Sequence, residues 1–125
     1  MDNYSLYIMK NELEIRLISF SAKIIKFSGN LKNVDASKVL RAQLLRSGTS
    51  VSLNYGEAQC AHTKKDFIHK VRIAYKELRE SSVNLRIIEE VKLYRNQDQI
   101  DDLLRETGEL LAIFTSILKT ANMNR

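Results

Sequence analysis

Not one proline interrupts this chain of 125 residues, and only four glycines do. A proline inside a helix removes a hydrogen bond and clashes with the preceding turn, so a chain without any can run in long unbroken helices. Apolar residues at 44% and charged residues at 28% match an ordinary globular protein. The expectation is an all-α protein, a single domain over residues 1–125 that builds its core without metal or disulfide.

Caps and hydrophobic spacing divide the chain into four helices. The first runs from Ser5 to Ser28 and stops at Gly29, a residue able to take the positive φ of a helix cap. The second spans about 37–61. Thr63 with Asp66 three residues on reads as a capping box that opens the third, about 64–94. Asn96 and Asp98 mark the turn into the fourth, about 97–121, where Asp101 and Asp102 meet the positive end of the helix dipole. Helix three carries an apolar stripe of Phe67, Val71, Ala74, Leu78, Leu85 and Ile88. Helix four carries a broader one through Ile100, Leu104, Thr107, Leu111, Phe114 and Leu118, widened by Leu103, Leu110 and Ile117. Four such helices with short connections predict an antiparallel up-down four-helix bundle.

The segment 44–59, LLRSGTSVSLNYGEAQ, is unusual for a helix, with ten uncharged residues between Arg46 and Glu57 and two glycines among them. On a helical wheel Leu40, Leu44, Val51, Tyr55 and Ala58 form a core face, and Ala42, Leu45, Thr49, Ser52, Gly56 and Cys60 a second face of mostly small residues. Small side chains at this spacing let a neighbouring backbone approach closely, and hydroxyls there can bond to carbonyls one turn back. Intrinsic propensity opposes this helix by about 4 kcal/mol, which tight packing has to outweigh. A phosphate-binding loop is excluded, because Leu53 stands where GxxxxGK[ST] requires its second glycine. Glu57, beside a packed face, is expected to pair with a basic residue of helix three.

Helix one has two apolar faces. Leu13, Leu17, Phe20, Ile24 and Phe27 share one, while Ile8, Ile15, Ile18, Ala22 and Ile25 lie nearly opposite. Two faces need two partners, so the second, together with Leu45, Thr49, Ser52 and Gly56, is read as the interface of a homo-oligomer.

Twenty Lys and Arg against fifteen Asp and Glu give a net charge of +5, which favours an anionic partner. Helix three concentrates this charge: Lys65, His69, Arg72, Lys76 and Arg79 follow one another at spacings of four and three opposite its core stripe, with Arg86 at the edge. Such a row attracts the phosphates of RNA or DNA without base specificity. Pairs such as Lys76 with Glu80 would neutralise part of it. The competing reading is a scaffold that engages a protein partner, the charge only steering association.

Catalysis is not expected. Only His62 and His69 are present, Asp66 and His69 make one incomplete approach to a Glu-x-x-His metal motif, and no arginine stands four to six intervening residues before either histidine. Cys60 reads as a buried small apolar residue, and no cofactor is implied. One cysteine, no run of 18 apolar residues and no signal-peptide pattern lead to the expectation of a soluble, cytoplasmic protein without a membrane partner.

LLRSGTSVSLNYGEAQ followed by KKDFIHKVRIAYKELRES resembles the core signature of the four-helix bundle proteins associated with intervening sequences in bacterial 23S rRNA genes. The match covers helices two and three closely and the rest by layout. Family members typically have Ile-Ala in place of Tyr55 and Gly56, and Glu in place of Asp66. That family is similar in turn to the accessory bundle proteins of diversity-generating retroelements, which form basic, barrel-like pentamers and bind nucleic acid and a reverse transcriptase. The resemblance implies a pentameric bundle with a nucleic-acid or ribonucleoprotein role, and it supplies no catalytic residues.

Overall fold

The computed structural model describes the backbone of residues 3–123 and the side chains of residues 12–122. Four helices follow one another: α1 (Asn3–Ser28), α2 (Asp35–Gln59), α3 (Lys64–Glu90) and α4 (Gln97–Met123). Each packs on its neighbours in the chain, and α1 closes the ring against α4. This is the arrangement of an all-α up-down bundle.

The core is built from the stripes that the periodicity marks. Leu17, Phe20, Ile24 and Phe27 of α1 are fully buried, as are Leu44 and Val51 of α2, Val71, Ala74, Leu78, Leu85 and Ile88 of α3, and Ile100, Leu110 and Phe114 of α4. Tyr55 stands edge-on to Phe114 with ring centroids 5.9 Å apart, a favourable aromatic geometry. Ion pairs line the seam where α1 meets α4. Arg16 donates Nε to Glu106 Oε2 at 2.9 Å and Nη2 to Glu106 Oε1 at 2.6 Å, and Lys23 reaches Asp102 at 3.0 Å. The hydrogen bond to Glu106, ahead of its charge, raises the Arg16 pKa further.

Helix starts agree with the local chemistry where a cap exists. Thr63 Oγ1 accepts from the Asp66 amide at 3.0 Å, and Asn96 Oδ1 accepts from the Gln99 amide at 3.0 Å. α2 begins at Asp35, not near Ser37, and its cap residue Val34 offers no side-chain bond. Ser37 lies inside the first turn, its hydroxyl buried without a hydrogen-bond partner.

Helix ends differ more. α3 stops at Glu90 and not at Tyr94. Lys92, at φ 55°, takes the left-handed conformation, its amide bonding to Glu89 O at 3.1 Å and the Leu93 amide to Ile88 O at 3.1 Å. Those two bonds form a Schellman motif, which turns the chain and buries Leu93. The Lys32 amide then donates to Leu93 O at 2.8 Å, and a single bridge pairs Leu31 with Tyr94, so two loops clasp at one end of the bundle. Gly29 does not take positive φ; its amide bonds to Ile25 O at 3.2 Å as the helix runs out. α2 ends at Gln59, two residues before the expected boundary, and Cys60 is its exposed C-cap rather than a buried apolar residue.

A candidate nucleic-acid interface on α3

The capped start at Thr63 sets the rotation of α3. With Val71, Ala74, Leu78, Leu85 and Ile88 turned inward, the opposite side carries Lys65, His69, Arg72, Lys76, Arg79 and Arg86, and all six are exposed. Every basic residue of the row therefore shares the open face of one helix.

Two acids of α3 that could neutralise this row are drawn to α2 instead. Arg46 of α2 takes both Glu77, at 3.0 Å, and Glu80. The hydrogen bond to Glu80, followed by the charge of Glu77, raises the Arg46 pKa. The pairing of Lys76 with Glu80 that the spacing allows is not formed. Glu57 does pair with α3, but through Lys70 at 2.6 Å, off the row. Lys65, Arg72, Lys76, Arg79 and Arg86 have no ion pair among the described residues. At the start of the row a concavity of about 470 Å³ is lined by Lys64, Lys65, Ile68, His69, Arg72 and Asn122, with no carboxylate among them. Cationic walls around a hollow focus an attractive potential for anions.

The residues read as an oligomer interface fall into two groups. Ile15, Ile18 and Ile25 form an exposed row on α1, at 59%, 58% and 53%, while Ile8 lies outside the residues whose side chains are described. The small residues of α2 instead serve the chain's own α1. The Ser52 hydroxyl bonds to Leu17 O at 2.8 Å and contacts Ser21 Oγ at 2.6 Å, and Ser21 Oγ donates to Gly48 O at 2.7 Å. Gly56 faces the Glu14 carboxylate. Leu45 and Thr49, half-buried, flank this seam, with Thr49 Oγ1 returned to Leu45 O at 2.7 Å. Sequence reasoning missed a further set of exposed apolar residues: Val39, Leu53, Val83, Ile87 and Val91. Their signal was present, since 83, 87 and 91 repeat every four residues outside the core stripe. Among the described residues no cluster of His, Cys, Asp or Glu could hold a metal ion, and no helix is long and apolar enough to cross a membrane.

These features define a class: a four-helix bundle protein with a cationic outer helix face. Residues 10–116 match the family model of the 23S rRNA-intervening sequence protein, and the chain belongs to that family. No curated protein matches it. Among solved structures it is similar to a protein of unknown function from the S23 ribosomal protein family of Bacteroides thetaiotaomicron, with 30% identity, a TM-score of 0.77, and coverage of 85% of this chain and 97% of the other.

Proposed function

We propose that this protein is a non-catalytic, self-associating bundle that binds RNA or DNA through the outer face of α3. The observation that carries the reading is the row from Lys65 to Arg86, whose cations form no ion pair among the described residues while Glu77 and Glu80 of the same helix are held by Arg46. An association of the family with rRNA, carried in its description, favours RNA. The exposed isoleucines of α1 support self-association. Binding is electrostatic and reads backbone rather than bases, because the row offers cations without regular aromatic neighbours for stacking.

Filter binding of a structured rRNA fragment at two salt concentrations tests this. For about five phosphate contacts, affinity falls on the order of 10²–10³-fold between roughly 50 and 200 mM salt. The double variant Arg72→Glu/Lys76→Glu, chosen away from the apolar residues at the far end of α3, abolishes binding or flattens the salt dependence by about two contacts. Binding that is unchanged in this variant rejects the face. Absence of any binding, together with capture of a protein partner by the same surface, favours the scaffold reading.

A further inference from the structure

The cationic row of α3 is not uniform along its length. Through Lys76 and Arg79 it offers one cation per helical turn. At its N-terminal end it opens into the concavity of about 470 Å³, formed by the first turns of α3 and the last turn of α4. Lys65, His69 and Arg72 come together there, and Lys64, Ile68 and, from α4, Asn122 complete the lining. That volume lies in the range of small-ligand sites. Lys65 and Arg72 have no ion pair among the described residues. Of the acids at this end of the bundle, Glu57 is held by Lys70 at 2.6 Å, and Asp66, exposed, does not line the hollow.

We infer that this hollow holds the terminal phosphate of a nucleic-acid strand whose remaining phosphates follow the row toward Arg86. The inference rests on the reading of α3 given above and names the part of the strand that meets its first turns. The count of charges carries it. A phosphodiester inside a strand bears one negative charge, which one cation per turn answers. A terminal phosphate is a monoester, with a charge of roughly −1.5 to −2 at neutral pH and three acceptor oxygens. Several cationic side chains around one hollow, with the His69 imidazole and the Asn122 amide beside them, supply charge and donors that a monoester takes up and a diester leaves unused. Arg72 adds the planar fork that binds two phosphate oxygens at once. Position carries it independently. α3 begins at Lys64, so no earlier turn extends the row, and a strand laid along it makes its last contact in the hollow. From Lys65 to Arg79 the row spans about 21 Å at about 1.5 Å per residue, the length of about six phosphates of one duplex strand.

Fluorescence anisotropy at fixed salt decides this, with internally labelled RNA strands of about eight nucleotides, enough to follow the row. Four forms of one sequence are compared: hydroxyl groups at both ends, a 5′-phosphate, a 3′-phosphate, and a hydroxyl-ended strand one nucleotide longer, which adds a diester charge without a monoester. One phosphorylated form binds about tenfold more tightly than either hydroxyl-ended strand, and which one it is gives the polarity of the strand. Asn122→Asp, which sets a carboxylate on the wall away from the row, and His69→Gln each abolish that preference. Lys76→Gln/Arg79→Gln weakens all four forms by the same factor and keeps it. These positions are exposed, so the variants retain the circular dichroism of the parent. Equal binding of all four forms with a steep salt dependence overturns the terminal-phosphate site and leaves the row standing, whereas no binding of any form overturns both. A preference that survives in both Asn122→Asp and His69→Gln overturns the hollow as its source. A nucleoside monophosphate that displaces the phosphorylated strand at equal concentration overturns the strand end in favour of a free nucleotide.

Discussion

Tyr55 shows how much a single side chain takes from its surroundings. It is 3% exposed against Phe114, and burial, followed by the negative charge of Glu14, pushes its pKa up to about 12. The unfolded chain ionises this phenol near its ordinary pKa of about 10. Between the two values the folded state holds a proton that the unfolded state has released, so stability falls as pH rises through that window. Below pH of about 10 the contribution is constant. Urea melts of the parent and of Tyr55→Phe should therefore run parallel up to that point and diverge above it, the parent losing stability faster. Parallel behaviour up to pH of about 12 would show that the phenol reaches solvent. The apolar placement of Tyr55 was legible from its spacing with Val51 and Ala58, and so was the need of Glu57 for an α3 base. That the base is Lys70 was not, because Lys70 differs from the other cations of α3 only in the side of the helix that meets α2.

At the scale of helices, the odd composition of α2 finds its reason in the seam with α1. Small residues, hydroxyls and a glycine make up one edge of α2, and α1 lies against them through Ser21, Ser52 and the Gly48 carbonyl. A Cβ built on Gly48 would stand 2.8 Å from Ile24 Cγ2 and 3.0 Å from Ile24 Cγ1, whereas one on Gly108 meets nothing within 4 Å. Gly48→Ala should accordingly cost about 1–3 kcal/mol as the fully buried Ile24 is displaced. Gly108→Ala should stabilise by about 1 kcal/mol through helix propensity alone. Thermal or urea unfolding of the two variants checks both signs at once. A ridge of small residues was readable, but it left out Gly48, where the tightest approach falls. Within the chain Ser52 and Gly56 meet α1, which a helical wheel does not reveal, because it shows which residues share a face but not which neighbour covers it. Helix ends were the least legible feature. Lys92 adopts φ 55° without being glycine, held by the burial of Leu93 and the pairing of two loops, while Gly29 has the freedom and does not use it.

For the whole molecule, the location of charge matters more than its sum. A net charge of +5 is modest, yet α3 presents its cations on one face while ion pairs at Arg16, Lys23 and Arg46 tie acids into the seams between helices. Self-association would repeat the row, and linked weak sites bind with an avidity about 10²–10⁴ above that of one. The Ile18→Lys/Ile25→Lys variant, which leaves every residue of the α3 row intact, should thus bind long RNA at least tenfold more weakly than the parent while binding a short oligonucleotide equally well. Titrations of both lengths at fixed salt measure this. Equal loss on both would mean that the substituted positions touch the nucleic acid themselves.

What the sequence determined by itself is what repeats within one or two turns. It set four helices, their inward faces, the caps at Thr63 and Asn96, and the gathering of cations along one side of α3, because side chains three and four residues apart share a face in any α-helix. Tertiary structure alone decided which residues meet across helices: Arg46 with Glu77 and Glu80, Ser52 with Ser21, and the clasp that ends α3 at Glu90. Those contacts depend on the rotation and axial offset of each helix against the others, which the packing of the whole core sets and no short stretch of chain encodes.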